Sequence, residues 1–364
     1  MKSDRKKLTI LIVDDSRIFR SAIQEGLAHE NDIEVIGSVW NGIKALEFIK
    51  SNPPDIVTLD IQMPDMDGLE TLKAIQEINA AQSADKQIGV IMLSSHTQKG
   101  ADITIKALQM GAFDFIPKPE GGDLRENIKN LSLQLLIKIR QFGAQYHPSA
   151  ISWGPTPQPS KPVETKKISP IVGIEAIVIG VSTGGPKALA ELLPQLCQKV
   201  NVPIFIVQHM PPTFTESLAK SLNAKCSYTV IEGKHEDFAQ EKFAYIAPGG
   251  RHMMLKKDNR KKIVRTILND TPPWKGCRPS VDVLFQSAAD VYGQNAIGVI
   301  LTGMGADGTK GAGILKRKGA FIVVQDEETS VVWGMPGSAV AAGYADRILP
   351  LKEIPGAIST MVKK

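Results

Sequence analysis

Cysteine is scarce in this sequence: Cys197, Cys226 and Cys277 are the only three among 364 residues. They are scattered, odd in number and show no metal-ligand spacing. A disulfide scaffold is therefore not expected, a catalytic Cys-His pair has no local motif behind it, and a reducing cytoplasm is the expected compartment. Aromatic residues make up 5%, too few for base-stacking platforms, so no nucleic-acid partner is expected. Long apolar runs are missing too. No stretch approaches the roughly 20 residues of a membrane span. The apolar segment Leu8–Val13 behind the basic Met1–Lys7 is cut by Asp14-Asp15, which is too short for a signal-peptide core. Nor does one sign of charge dominate, with 43 Lys and Arg against 38 Asp and Glu and a net charge of +5. Part of the excess lies in Lys256, Lys257, Arg260, Lys261, Lys262 and Arg265, around the turn signal Asp258-Asn259. That run reads as a solvated hairpin tip or, more sharply, as a patch for an acidic partner.

What is present is ordinary globular composition, 43% hydrophobic and 22% charged, in a chain long enough for two domains. Between His147 and Pro170 stand Pro148, Pro155, Pro157, Pro159, Pro162 and Pro170. They exclude helix and disfavour strand, so this stretch reads as an extended linker. The expected division is a first domain at 1–142, a proline-rich linker at 143–170 and a second domain at 171–364.

Both domains alternate apolar runs with amphipathic stretches. In the first, Leu8–Val13, Glu34–Trp40, Ile56–Leu59, Gly89–Leu93 and Phe113–Pro117 read as strands. Helical patterns such as Ile18–Ala28, Gly42–Ser51 and Asp123–Phe142 lie between and after them. In the second, Glu175–Gly180, Ile204–Gln208, Phe243–Ala247, Ala296–Leu301 and Ala320–Gln325 read as buried strands. Pro186–Leu196, Phe214–Asn223 and Ser280–Tyr292 read as helices. The fold class is α/β, with two doubly wound parallel-sheet domains: a flavodoxin-like (βα)5 unit and a Rossmann-like α/β unit.

In an open parallel sheet the C-terminal strand ends share one edge, where ligands bind. Asp14 and Asp15 follow the first strand, Asp60 the third, Ser94 the fourth and Lys118 the fifth. Any one of the acidic or hydroxyl residues is an ordinary helix cap. Five in this order, on these strand ends, point instead to one site. Three carboxylates together call for a cation, and Mg²⁺ suits an all-oxygen donor set. A carboxylate is a competent phosphoryl acceptor, and a lysine and a hydroxyl complete the site for the transferred group.

The segments VDDS, LDIQMPDMDG and IPKP resemble response-regulator receiver domains over about residues 8–142. The resemblance implies Asp60 as the phosphorylated residue and Asp14 and Asp15 as the acidic pocket. It further implies Mg²⁺ held by Asp15, Asp60 and the Gln62 carbonyl, and Lys118 as the phosphate contact. Ser94 would be the switch hydroxyl, with Ser95 its immediate neighbour, and Phe115 the switch aromatic.

The second domain opens with AIVIGVSTGGP, which reads strand, tight turn, helix start. Gly180-Val181-Ser182-Thr183-Gly184 matches G-x-S-x-G, which presents a serine hydroxyl at a sheet edge. Backbone N–H groups at the helix start, that of Thr183 first, are candidate oxyanion donors. The motif alone reads equally as a phosphate-cradling loop, although it lacks a Walker lysine and the G-x-G-x-x-G spacing. His209 and Asp307, each after a strand, tip the balance: His209 can take the Ser182 proton and Asp307 can orient the imidazole. The order Ser, His, Asp differs from the Ser, Asp, His of α/β-hydrolases. His252, after the glycine turn of APGGRHM, is the competing general base.

Together IGVSTGGP, VQHMPP, APGGRHM, RPSVDVLF, LTGMGADG and VVWGMPGSA resemble the catalytic domain of the chemotaxis methylesterase family over about residues 172–360. The resemblance implies a serine hydrolase for glutamate methyl esters, with glutamine deamidation and no cofactor for hydrolysis. It implies Ser182 as nucleophile, His209 as base and acid, Asp307 as its orienter, and the Met304 N–H in the oxyanion hole. Expected partners are methylated chemoreceptors and a sensor histidine kinase as phosphodonor, with the membrane reached only through the receptors. Unphosphorylated, the receiver is expected to restrain the catalytic domain. The rival reading is a receiver controlling a nucleotide- or protein-binding output module.

Overall fold

The computed structural model describes residues 7–83, 86–119, 121, 123–147, 173–258, 260 and 263–362. Two compact units divide the chain. The first follows a strict βα alternation: β1 (Leu8–Val13), α1 (Arg17–Leu27), β2 (Ile33–Val39), α2 (Gly42–Ser51), β3 (Ile56–Asp60), α3 (Gly68–Ala80), β4 (Gly89–Ser94), α4 (Gln98–Gln109), β5 (Asp114–Pro117) and α5 (Leu124–Tyr146). The strands pair in parallel in the order β2-β1-β3-β4-β5, the flavodoxin-like arrangement expected. All of β3 and β4 is buried, which is why these strands read as unbroken apolar runs rather than alternating ones.

The apolar stripe of α5 is buried at Leu131, Leu135, Ile139 and Phe142. The helix runs past the expected end at Phe142 to Tyr146. The Tyr146 ring stacks on that of Phe142 with centroids 4.5 Å apart, so packing carries the helix into what the composition assigns to linker. Of the expected linker, residues 148–170 lie outside the described residues.

The second unit runs β6 (Ala176–Val181), α6 (Gly185–Cys197), β7 (Ile204–Gln208), α7 (Phe214–Asn223), β8 (Thr229–Glu232), β9 (Phe243–Ile246), β10 (His252–Asp258), β11 (Ile263–Asn269), α8 (Val281–Tyr292), β12 (Ala296–Ile300), α9 (Thr309–Arg317), β13 (Phe321–Gln325), α10 (Gly334–Ala341), β14 (Arg347–Leu349) and α11 (Ile354–Met361). Seven strands pair in parallel in the order β14-β13-β12-β6-β7-β9-β8. The central strands β12, β6 and β7 are buried throughout. Each buried Val, Ile or Leu there contributes roughly 1.5–3 kcal/mol. The outermost strands β8 and β14 escaped the sequence reading. Both are short and only partly buried, so neither carries an apolar run. Strands β10 and β11 form a separate antiparallel pair, which carries Lys256, Lys257 and Arg265 of the basic run; Lys261 and Lys262 lie outside the described residues. No helix among the described residues is long and apolar enough to cross a membrane.

Candidate active site and phosphate-acceptor site

The three central strands of the second sheet place the residues that sequence reasoning singled out. Ser182 follows β6, His209 follows β7, and Asp307 lies in the loop after β12. Parallel register sets Val181 opposite Gln208, and the His209 N–H bonds the Val181 carbonyl at 3.2 Å. Ser182 and His209 therefore leave adjacent strands at the same level. The turn after Ser182 passes through Gly184, which has φ 79°, a left-handed conformation that favours glycine. The Ser182 carbonyl accepts from Gly185 N at 2.8 Å and from the buried Gln208 Nε2 at 2.9 Å. The Ser182 N–H is held by the Thr302 carbonyl at 3.0 Å.

The loop of Met304 lies against the same serine. A side chain at Gly303 would put its Cβ 2.7 Å from Ser182 Cβ, so only glycine lets this backbone come so close. Met304 is half-buried beside it, and Thr183 is buried, its carbonyl accepting from Thr302 Oγ at 2.9 Å.

His209 Nε2 lies 2.8 Å from Asp307 Oδ2. The carboxylate is saturated: Oδ1 accepts from Ser280 Oγ at 2.9 Å and from the N–H groups of Asp282 and Gly308, each at 3.0 Å. Oδ2 accepts from Val281 N at 2.7 Å as well as facing the imidazole. Asp307 thus sits at the N-terminus of α8, where unpaired N–H groups and the helix dipole favour an anion. It does not cap its own helix; the N-cap of α9 is Gly308. Burial works against ionised Asp307, yet His209 and these donors hold its carboxyl below the usual range. Burial likewise works against a charged His209. The bond to Asp307 and the neighbouring Cys277 outweigh it, and the imidazole is pushed up to about 9. Cys277 Sγ lies 4.0 Å from His209 Nδ1.

The competing base, His252, opens β10, is 1% exposed and faces the Pro272 carbonyl through Nε2 at 3.2 Å. It is committed to the loop that leads to Cys277.

In the first unit, Asp14, Asp60, Ser94 and Lys118 stand at the ends of β1, β3, β4 and β5. Lys118 Nζ bridges Asp14 Oδ2 and Asp60 Oδ2, each at 2.8 Å, and lies 4.8 Å above the Phe19 ring. Carboxylate oxygens of Asp14, Asp15 and Asp60 all fall within 4.8 Å of one another. Burial, opposed by Lys118 and reinforced by Asp14, pushes the Asp60 carboxyl up to about 6. Burial works against the Lys118 ammonium, but Asp60 and Asp14 outweigh it and hold it above its ordinary value. One lysine does not balance three carboxylates, and the all-oxygen cluster suits a hard divalent cation such as Mg²⁺. Gln62 is exposed just beyond β3. Ser94 is fully buried, with its hydroxyl 2.6 Å from Thr104 Oγ on α4. Ser95 is half-buried and pairs with Thr97 at 3.0 Å. Phe115 is buried in β5.

Residues 177–358 match the family described as CheB methylesterase, and residues 10–129 match the response regulator receiver domain. A protein-glutamate methylesterase/protein-glutamine glutaminase of Desulfotalea psychrophila is 43% identical, over 98% of this chain and 99% of that one. One of the same description from Thermotoga maritima is 39% identical over 98% of each. This chain belongs to the CheB methylesterase family. The crystal structure of the Thermotoga maritima CheB methylesterase catalytic domain is similar to it at 43% identity. The TM-score is 0.51, with 52% of this chain and all of that domain covered. The expected α/β architecture, with a receiver unit ahead of a methylesterase unit, is what fold and family show together.

Around this methylesterase-type site, two groups were missed by sequence reasoning. The Ser280-Val281-Asp282 segment that cradles Asp307 was legible only as part of a family motif. Its signal was serine before an apolar helix, the ordinary look of an N-cap. Cys277 carried no motif, and only the fold brings it to His209.

Proposed function

We propose that this chain hydrolyses glutamate methyl esters, and deamidates glutamines, on chemoreceptor proteins by a Ser182-His209-Asp307 mechanism, under control of phosphorylation at Asp60. The observation that carries this reading is the bond from His209 to a carboxylate saturated by protein donors, with His209 leaving the strand next to that of Ser182. Because Nε2 is committed to Asp307, the Ser182 proton goes to Nδ1. Ser182 Oγ bonds to the ester carbonyl carbon as that proton moves. The oxyanion is met by backbone N–H groups of Thr183 and Met304, where donors aimed at developing charge act most strongly. The C–O bond to methoxide breaks, His209 returns its proton, and methanol leaves. Water then gives a proton to His209 and attacks the acyl-enzyme, and Ser182 departs reprotonated with glutamate as product. With glutamine, ammonia takes the place of methanol.

In the receiver unit the Asp60 carboxylate accepts the phosphoryl group from a sensor histidine kinase, and Lys118 pairs with the new charge. Mg²⁺ would be held by Asp15, Asp60 and the Gln62 carbonyl, with Asp14 completing the acidic pocket, and would neutralise charge on the phosphoryl oxygens. Ser94 and Phe115 are the switch residues that respond. The reading places the protein in the cytoplasm, meeting the membrane through its receptors. The test is methanol release from methylated receptor membranes. Wild type releases methanol and Ser182→Ala does not; equal release by both would refute the nucleophile and revive a binding-only role for the glycine turn.

A further inference from the structure

Among the described residues of the basic run, Lys256, Lys257 and Arg265 lie on β10 and β11 and belong to neither site. The two strands pair over seven residues, with Lys256 opposite Arg265 and Met254 opposite Ile267. Alternation sends Met253, Leu255, Val264 and Leu268 into the core. Lys256, Arg265, Met254 and Ile267 then share the outer face. A groove of about 450 Å³ opens there, lined by Lys256, Lys257, Arg260 and Arg265 with Ile267, and by the acidic Glu236 and Asp258.

The acids of this groove are already engaged. Glu236 Oε2 lies 2.5 Å from Arg265 Nη1, and Asp258 Oδ1 accepts the Arg260 N–H at 2.9 Å. Among the described residues Lys256 and Lys257 form no ion pair, and both are exposed. Arg265 Nε is buried without a hydrogen-bond partner. Its guanidinium stacks 4.6 Å from the centroid of the Phe238 ring, and Phe238 is 46% exposed. An exposed aromatic and a stacked arginine beside surplus cations have the composition of an interaction surface.

The same face leads toward the catalytic residues. His252, at the other end of β10, bonds the loop that carries Cys277 next to His209. From His252 to Lys256 is about 14 Å along the strand, the length of roughly nine helical residues. The groove opens toward one end of β10, and the loop that carries Cys277 is bonded to the other.

We infer that this outer face is a docking groove for a Glu-rich amphipathic helix of the substrate protein, set beside the residue being hydrolysed. The inference rests on the methylesterase reading, because that chemistry names the occupant. Each turnover converts a neutral ester or amide into a carboxylate. A segment with several target positions becomes more acidic as it is processed, and its attraction to the groove rises.

The test uses the full chain and a fluorescein-labelled twenty-residue helical peptide with Glu at i, i+4 spacing, read by fluorescence anisotropy. Wild type binds it more weakly as salt is raised, and the same peptide with Lys at those positions does not bind. K256E/K257E weakens binding about tenfold, as reversal of two interfacial charges should. On methylated receptor membranes the variant loses about as much kcat/KM, through KM. A small glutamate γ-methyl ester, too short to reach the groove, is cleaved as by wild type. Equal peptide binding by both proteins, no binding by either, or parallel loss on the small ester overturns the inference. Methanol release by wild type is the separate check on the esterase reading, which peptide binding does not depend on.

Discussion

The two sites use the same edge of the same kind of sheet in opposite electrostatic ways. In the receiver unit Asp14, Asp15 and Asp60 crowd around one lysine, and the Asp60 carboxyl is pushed up by burial. That site is short of positive charge and gains from a cation. In the catalytic unit a single carboxylate, Asp307, receives an imidazole, a hydroxyl and three backbone N–H groups. There the buried charge of Asp307 is met by donors of the chain itself. The lesson is one of division of labour. The unbalanced site suits a transient modification, and the saturated one suits a fixed orientation repeated at every turnover.

The comparison predicts where substitutions hurt most. On the proposed mechanism Ser182→Ala removes the nucleophilic atom, and methanol release should fall by about 10⁴-fold or more. Asp307→Asn keeps the shape but loses the charge that orients and charges His209, and kcat should drop by about 10²–10⁴ with little change in KM. A loss under tenfold would mean the imidazole is held by something else. Ser280→Ala deletes one of Asp307's donors, and a fall in kcat of about tenfold is expected. No change would show that the backbone donors suffice.

The smallest expected effect concerns pH. His209 is pushed up to about 9, and the neutral imidazole is the form that accepts a proton. The kcat/KM of the small ester should therefore rise with pH through neutrality, bend at about 9 and level off above it, since that profile reports the free enzyme. Cys277→Ala removes one of the influences holding the imidazole up and should move the inflection to lower pH. A flat profile between pH 6 and 8 contradicts a charged resting histidine.

Much of this was legible in the chain because parallel sheets send strand ends to one edge. Asp14, Asp60, Ser94, Lys118 and His209 could all be placed by finding apolar runs and reading the next residue, and Ser182 by the glycine turn that follows its strand. Asp307 was legible as a residue in a loop after a strand. Its anchoring was not, because Ser280 precedes it by 27 residues and belongs to the N-terminus of a different helix. Cys277 was illegible for a similar reason: it reaches His209 across 68 residues with no periodic pattern. The edge strands β8 and β14 went unread because half-buried strands of three or four residues leave no periodicity.

The central claim is that the unbalanced site governs the saturated one. The most direct measurement is the initial rate of methanol release from methylated receptor membranes by wild type and Asp60→Asn, with and without a small phosphodonor and Mg²⁺. The account predicts that the phosphodonor accelerates wild type and leaves Asp60→Asn at its basal rate. Equal acceleration of both, or of neither, would contradict it.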